Sequence, residues 1–140
     1  MRILGLDIGD KNIGVAISDP EEILASPQGI IKRDNDQNAI DAIIELINEY
    51  DIKRLVIGIP YSLSGAIGNQ AESVLFFKEK LSQNTDIDIE MQDERLSTIA
   101  AENLLIDAGV SGKRKKERLD AAAAAYILQG YLDSRRDYSL

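Results

Sequence analysis

Apolar and polar residues alternate with a period of two from Arg2 to Ile8 and again from Ile13 to Ser18. That pattern predicts two paired strands, with Asp10, Lys11 and Asn12 between Gly9 and Gly14 forming a short hairpin connection. A third strand is expected around Gln28 to Lys32. The period then changes: Ile40, Ile43, Ile44 and Ile47 recur at i, i+3, i+4 and i+7, and Asn35 or Asp36 can serve as N-cap, so residues 37 to 50 predict an amphipathic helix. "RLVIGIP", residues 54 to 60, is a short apolar run closed by Gly and Pro, which suits a buried parallel strand followed by the loop "YSLSGAIGN". Val74, Phe77 and Leu81 mark a second helix over 70 to 81, with Phe76 and Phe77 both assigned to the core, and "IDIEMQD", residues 87 to 93, alternates as another strand. A third helix is expected from Ser97 to Gly109, a natural C′ residue. After a loop "SGKRKKER", a last helix runs from about Leu119 to beyond Leu132. The order β-β-β-α-β-α-β-α-α predicts an α/β fold: a mixed five-stranded sheet, its first strands antiparallel and its later ones added by helical crossovers, with helices on both faces.

Alternation puts Ile3, Gly5 and Asp7 on one face of the first strand, and Gly14, Ala16 and Ser18 on one face of the second. The last helix offers a matching stripe, Asp120, Ala123, Ala124, Ile127, Leu128 and Tyr131, within "LDAAAAAYILQGYL". Small side chains on both partners let a helix backbone approach the sheet closely, which would bring two short carboxylates together. Taken singly, Asp7 reads equally as a strand-end carboxylate capping the turn. Asp120 likewise reads as a charge favoured by the first turn of a helix. Asp93 and Glu94, in "MQDERLST", sit where a strand ends and a helix is about to start, the place where open α/β sheets collect ligand sites.

Composition narrows the chemistry. The chain has 140 residues, enough for one domain spanning residues 1–140, with 44% hydrophobic and 29% charged residues. It shows no basic and apolar leader and no apolar run near the roughly 20 residues that span a bilayer, so a cytoplasmic location is expected. It contains no cysteine and no histidine, which excludes disulfides, thiolate zinc sites and imidazole bases. Acidic positions at element ends in such a chain point to a hard divalent cation bound through oxygen, Mg²⁺ or Mn²⁺. The net charge of −8 argues against a general nucleic-acid coat. Lys113, Arg114, Lys115, Lys116 and Arg118 nevertheless place five of the 16 basic residues directly ahead of Asp120. Without an acidic site beside it, such a run is an ordinary solvated charge cluster; next to one, it is the best phosphate-binding candidate. Arg95 is a further candidate, equally explained by an ion pair.

Four stretches together resemble the YqgF family, also called RuvX-like, of RNase H-like nucleases: "GLDIGDKNIGVAISD", "VIGIPYSLSG", "DERLST" and "KRKKERLDAAAAAYILQGYL". The first alone is also similar to the phosphate-binding hairpin of actin-like ATPases and sugar kinases; all four, in the family's order and spacing, are specific. The resemblance covers almost the whole chain and implies an RNase H-like fold. It also implies that Asp7, Glu94 and Asp120 are the catalytic, metal-binding set, with Asp93 as a less certain neighbour, and that Lys113 is a basic position ahead of the final aspartate. The family hairpin commonly reads Lys-Arg where this chain has Lys11 and Asn12, so Lys11 keeps a phosphate-contact role and the arginine's contact is missing.

The function implied is a metal-dependent endonuclease, a hydrolase acting on structured nucleic acid. The resemblance points to 5′-end processing of pre-16S rRNA in ribosome biogenesis, with Holliday junction resolution in DNA recombination and repair as the alternative. A resolvase is expected to act as a symmetric homodimer. Two other classes stay open at this point: a non-catalytic nucleic-acid-binding factor in transcription or RNA maturation, and an actin-like ATPase or kinase-related nucleotide binder. The latter is disfavoured because such proteins clamp the nucleotide between two related domains.

Overall fold

The computed structural model describes residues 1–59, 68–93 and 112–137, with the side chains of 112–118 and 136–137 outside that description. Strands β1 (Arg2–Ile8), β2 (Asn12–Ser18), β3 (Ala25–Lys32), β4 (Ile52–Ile59) and β5 (Asp88–Asp93) form one sheet in the order β3-β2-β1-β4-β5. β1, β2 and β3 pair antiparallel, whereas β4 and β5 add in parallel to β1. This is the expected mixed sheet, and its fold is RNase H-like. Among the described residues no helix is long and apolar enough to cross a membrane.

Helices α1 (Asp36–Glu49) and α2 (Asn69–Ser82) bury Ile40, Ile43, Ile47, Val74, Phe77 and Leu81 against one face of the sheet, where Leu4, Leu6, Ile13, Val15, Leu55 and Ile57 meet them. Helix α3 (Gly112–Asp137) covers the other face, packing Ala124, Ile127, Leu128, Tyr131 and Leu132 on Ile3, Ala16 and Val56. Asn35 is the N-cap of α1, its carboxamide oxygen accepting from the Asn38 amide at 2.8 Å.

Three expectations are corrected. β3 begins at Ala25 rather than Gln28, because its alternation breaks: Val15 pairs with Gly29 and Ala16 with Pro27, leaving Gln28 as an extra residue and Gly29 at φ +148°. Phe77 is fully buried but Phe76 is 64% exposed, since neighbours on a helix point about 100° apart and only one can face the sheet; the Lys80 ammonium lies over the Phe76 ring at 4.7 Å. The basic stretch is not a loop, for α3 starts at Gly112 and includes it. Lys, Arg and Glu are strong helix formers, and no Gly or Pro interrupts them, so the helix anchored by the alanine stripe runs on through them. The helix expected at 97–109 and the loop after β4 lie outside the described residues.

Candidate active site

Asp7 is the penultimate residue of β1, half-buried between the buried neighbours Leu6 and Ile8, which point to the opposite face. Its partner across the antiparallel pair is Gly14. The place where a Gly14 side chain would stand is taken by α3: a Cβ there would lie 1.9 Å from the Asp120 carbonyl oxygen. A Cβ on Gly5 would likewise meet the Leu128 Cβ at 2.8 Å and the Ala124 carbonyl oxygen at 3.3 Å. Glycines on the strands and alanines on the helix therefore let the α3 backbone lie directly on β1 and β2. That contact puts Asp120 beside the strand pair whose next member is Asp7. Asn12, the first residue of β2, extends its carboxamide nitrogen to the Asp120 Oδ2 at 3.5 Å, the long limit of a hydrogen bond.

Asp93 ends β5 and is exposed. It has the parity of Ile89 and Met91, which pack with the α1 and α2 core, while Gln92 lies toward Gly130 of α3. Strand alternation therefore separates Asp93 from Asp7, which lies on the α3 face two strands away. Among the described residues no three Asp, Glu, His or Cys groups gather at one point. Asp7 and Asp120 both lie where α3 meets the β1–β2 pair, and Glu94 and Arg95 lie outside the described residues. Carboxylate oxygens are the donor type that hard divalent cations take, and Asp7 and Asp120 could contribute such oxygens on this face.

The RuvX family model, described as Holliday junction resolvase, matches residues 1–134. The chain belongs to the RuvX family. A RuvX relative from Desulforamulus reducens, named "Putative pre-16S rRNA nuclease", is 48% identical over 134 residues, 96% of this chain and 98% of its own length. One from Clostridium acetobutylicum, of the same name, is 45% identical over 134 residues, covering 96% of this chain and 99% of its own. Among solved structures, the fold matches fowlpox virus resolvase in complex with Holliday junction DNA at a TM-score of 0.59 and 16% identity, over 96% of this chain and 99% of that one. Thermus thermophilus RuvC with a Holliday junction substrate matches at 0.57 and 15% identity, over 97% and 96%.

In this RuvX chain Lys113, Arg114, Lys115, Lys116 and Arg118 occupy the first two turns of the helix that carries Asp120. At about 1.5 Å of rise per residue, the Lys113 backbone stands roughly 10 Å before Asp120 along the helix axis. Lys11 is exposed at the tip of the β1–β2 hairpin. The far end of α3 is tied down where the Tyr131 hydroxyl accepts from Arg54 at 2.9 Å and Arg135 at 2.6 Å, and burial pushes the phenol above its ordinary pKa of 10.0.

Sequence reasoning missed Arg33 and read Asp36 only as an alternative N-cap. The Arg33 Nε donates to Asp36 Oδ1 at 2.8 Å, and the Lys80 ammonium donates to Asp36 Oδ2 at 2.8 Å. These two cations, Arg33 foremost, hold the Asp36 carboxyl below its usual value of 3.8. A depressed carboxyl stabilises the fold at pH values above its unfolded pKa, and that stability is lost as pH falls through the folded one. Asp36→Asn is therefore expected to cost about 1 kcal/mol at neutral pH and progressively less as pH falls below the unfolded carboxyl value, as urea titrations across that range would measure. A constant difference at all pH values would assign the loss to packing instead.

Proposed function

We propose that this chain is a divalent-metal-dependent endonuclease that hydrolyses phosphodiester bonds in structured nucleic acid, acting in the cytoplasm on the 5′ region of pre-16S rRNA. The observation that carries the reading is the seating of Asp120 on Gly14, the strand partner of Asp7. A fold does not ordinarily bring two carboxylates onto one half-buried face unless a cation or a reaction uses them. Asp7 and Asp120, joined by Glu94, would hold Mg²⁺ or Mn²⁺. The metal would supply water activation and charge neutralisation at the leaving oxygen, chemistry that needs no histidine. Rigid backbone contact between α3 and the sheet fixes the spacing of the two carboxylates, and Asn12 restricts the rotation of Asp120. The basic residues of the first turns of α3, with Lys11 and Arg95, would bind the phosphate backbone. The curated relatives' shared name supports the rRNA substrate, and the junction-bound neighbours keep four-way DNA as the second substrate, for which a symmetric dimer is required.

The test is to incubate pure protein with Mg²⁺ or Mn²⁺ and three substrates: precursor rRNA, a four-way DNA junction and unstructured single-stranded RNA. Cleavage of the precursor alone supports the proposal. Junction cleavage alone transfers it to DNA, and binding without cleavage of any of them rejects the enzyme. Changing Lys113, Lys115 and Lys116 together to Gln is expected to weaken binding, each lost phosphate contact lowering the log–log salt slope by roughly 0.7 to 0.9. An unchanged slope removes the α3 N-terminus from the binding surface.

A further inference from the structure

We infer that Arg33 is a positioning residue for the Asp7–Asp120 pair, acting through the β1–β2 hairpin; the inference rests on the nuclease reading above. Arg33 grips the hairpin twice. Its main-chain N–H donates to the Lys11 carbonyl at 2.8 Å, and its guanidinium NH1 donates to the Gly9 carbonyl at 2.9 Å. Between those carbonyls lies the turn that leads from Asp7 to Asn12, and Asn12 reaches the Asp120 carboxylate. On its other side the guanidinium is fixed to Asp36 through Nε and lies 4.9 Å above the Phe77 ring. Asp36 is itself held by Lys80.

The hairpin tip, Gly9-Asp10-Lys11-Asn12, is closed by a cross-turn hydrogen bond from the Gly9 amide to the Asn12 carbonyl at 3.0 Å. Helices α1 and α2, on the sheet face away from the carboxylates, thus set the turn that carries Asn12 on the other face. The arrangement requires arginine. A planar fork donates from Nε and NH1 in different directions while its face stacks on a ring, whereas a lysine ammonium reaches only one of these partners. The Arg33 side chain is only 12% exposed.

The test uses Arg33→Met, which keeps an aliphatic chain over Phe77 but removes every side-chain donor, and Arg33→Lys. Amide hydrogen exchange in metal-free protein is expected to rise about tenfold or more at Gly9 and residue 33, whose amides bond the Asn12 and Lys11 carbonyls, while the amides of Leu4, Leu6 and Leu55 keep their protection. Mn²⁺ affinity by calorimetry and kcat in single-turnover cleavage should each fall by about 10- to 100-fold, with KM within twofold of wild type. Arg33→Lys should not rescue either. Exchange that rises equally through the sheet core, or full activity in Arg33→Met, overturns the inference in favour of a purely structural arginine. If wild-type protein cleaves nothing, the nuclease reading fails; raised hairpin exchange together with weakened Mn²⁺ binding would still establish Arg33 as the positioning residue of the carboxylate pair, and the absence of both would overturn that too.

Discussion

Gly14→Ala is expected to be the most damaging single-methyl change in the protein. The added Cβ would stand 1.9 Å from the Asp120 carbonyl oxygen, a backbone atom that cannot swing aside, so α3 must lift by on the order of 1.5 Å to restore ordinary contact. Overpacking of this kind costs roughly 1 to 3 kcal/mol, and misplacing a reacting group by about 1 Å can cost about 100-fold in rate. Stability and cleavage should fall together, as denaturant titration and single-turnover kinetics would show. Gly130→Ala provides the contrast. Its Cβ would be 3.6 Å from the Gln92 amide nitrogen, an ordinary distance, inside the same helix. Relief of glycine's entropy there should stabilise the protein by about 0.5 to 1 kcal/mol and leave cleavage unchanged. Equal responses from the two variants would mean that close seating of α3 has no bearing on the site.

Asp7→Asn and Asp120→Asn should each abolish cleavage while leaving the metal-free melting temperature equal or higher, because each removes one of two like charges placed on the same half-buried face. Asp120→Glu keeps the charge but lengthens the side chain by one methylene, and on a rigid helix that error should cost about 100-fold. Differential scanning calorimetry in chelator and a Mn²⁺-dependent cleavage series would read both effects. Wild-type cleavage by Asp120→Asn across the titration removes it from the metal-binding set; a large loss of metal-free stability in Asp7→Asn with activity retained makes Asp7 a turn cap.

What could be read from the chain beforehand was whatever depends on period and side-chain size. Gly5 and Gly14 fall on the faces that alternation assigned them, and Ala124, Ile127, Leu128 and Tyr131 lie on the stripe that meets those faces. The helical state of Lys113–Arg118 was hidden because a charged run without Gly or Pro is equally compatible with a solvated loop; only the anchored helix behind it decides. The extra residue Gln28 breaks the alternation from which β3 was read. Arg33 has one partner close in sequence, Asp36 three positions on, but Gly9 and Phe77 reach it only when hairpin, α1 and α2 are assembled. The third carboxylate, Glu94, rests on motif resemblance, and Asp93 beside it has the parity of the opposite face.

The seating of α3 also fixes when in its life the molecule can act. Asn12 and Asp120 are 108 positions apart in the chain. Translation at about 5–20 residues per second therefore leaves Asp7 and its hairpin waiting roughly 5 to 20 s before the helix that completes the site is even made. A nascent chain, or one cut short before Asp120, carries the first carboxylate without the second. On the proposed two-carboxylate site, a chain still lacking α3 is expected to be inactive, and competence to follow only once α3 has closed over β1 and β2.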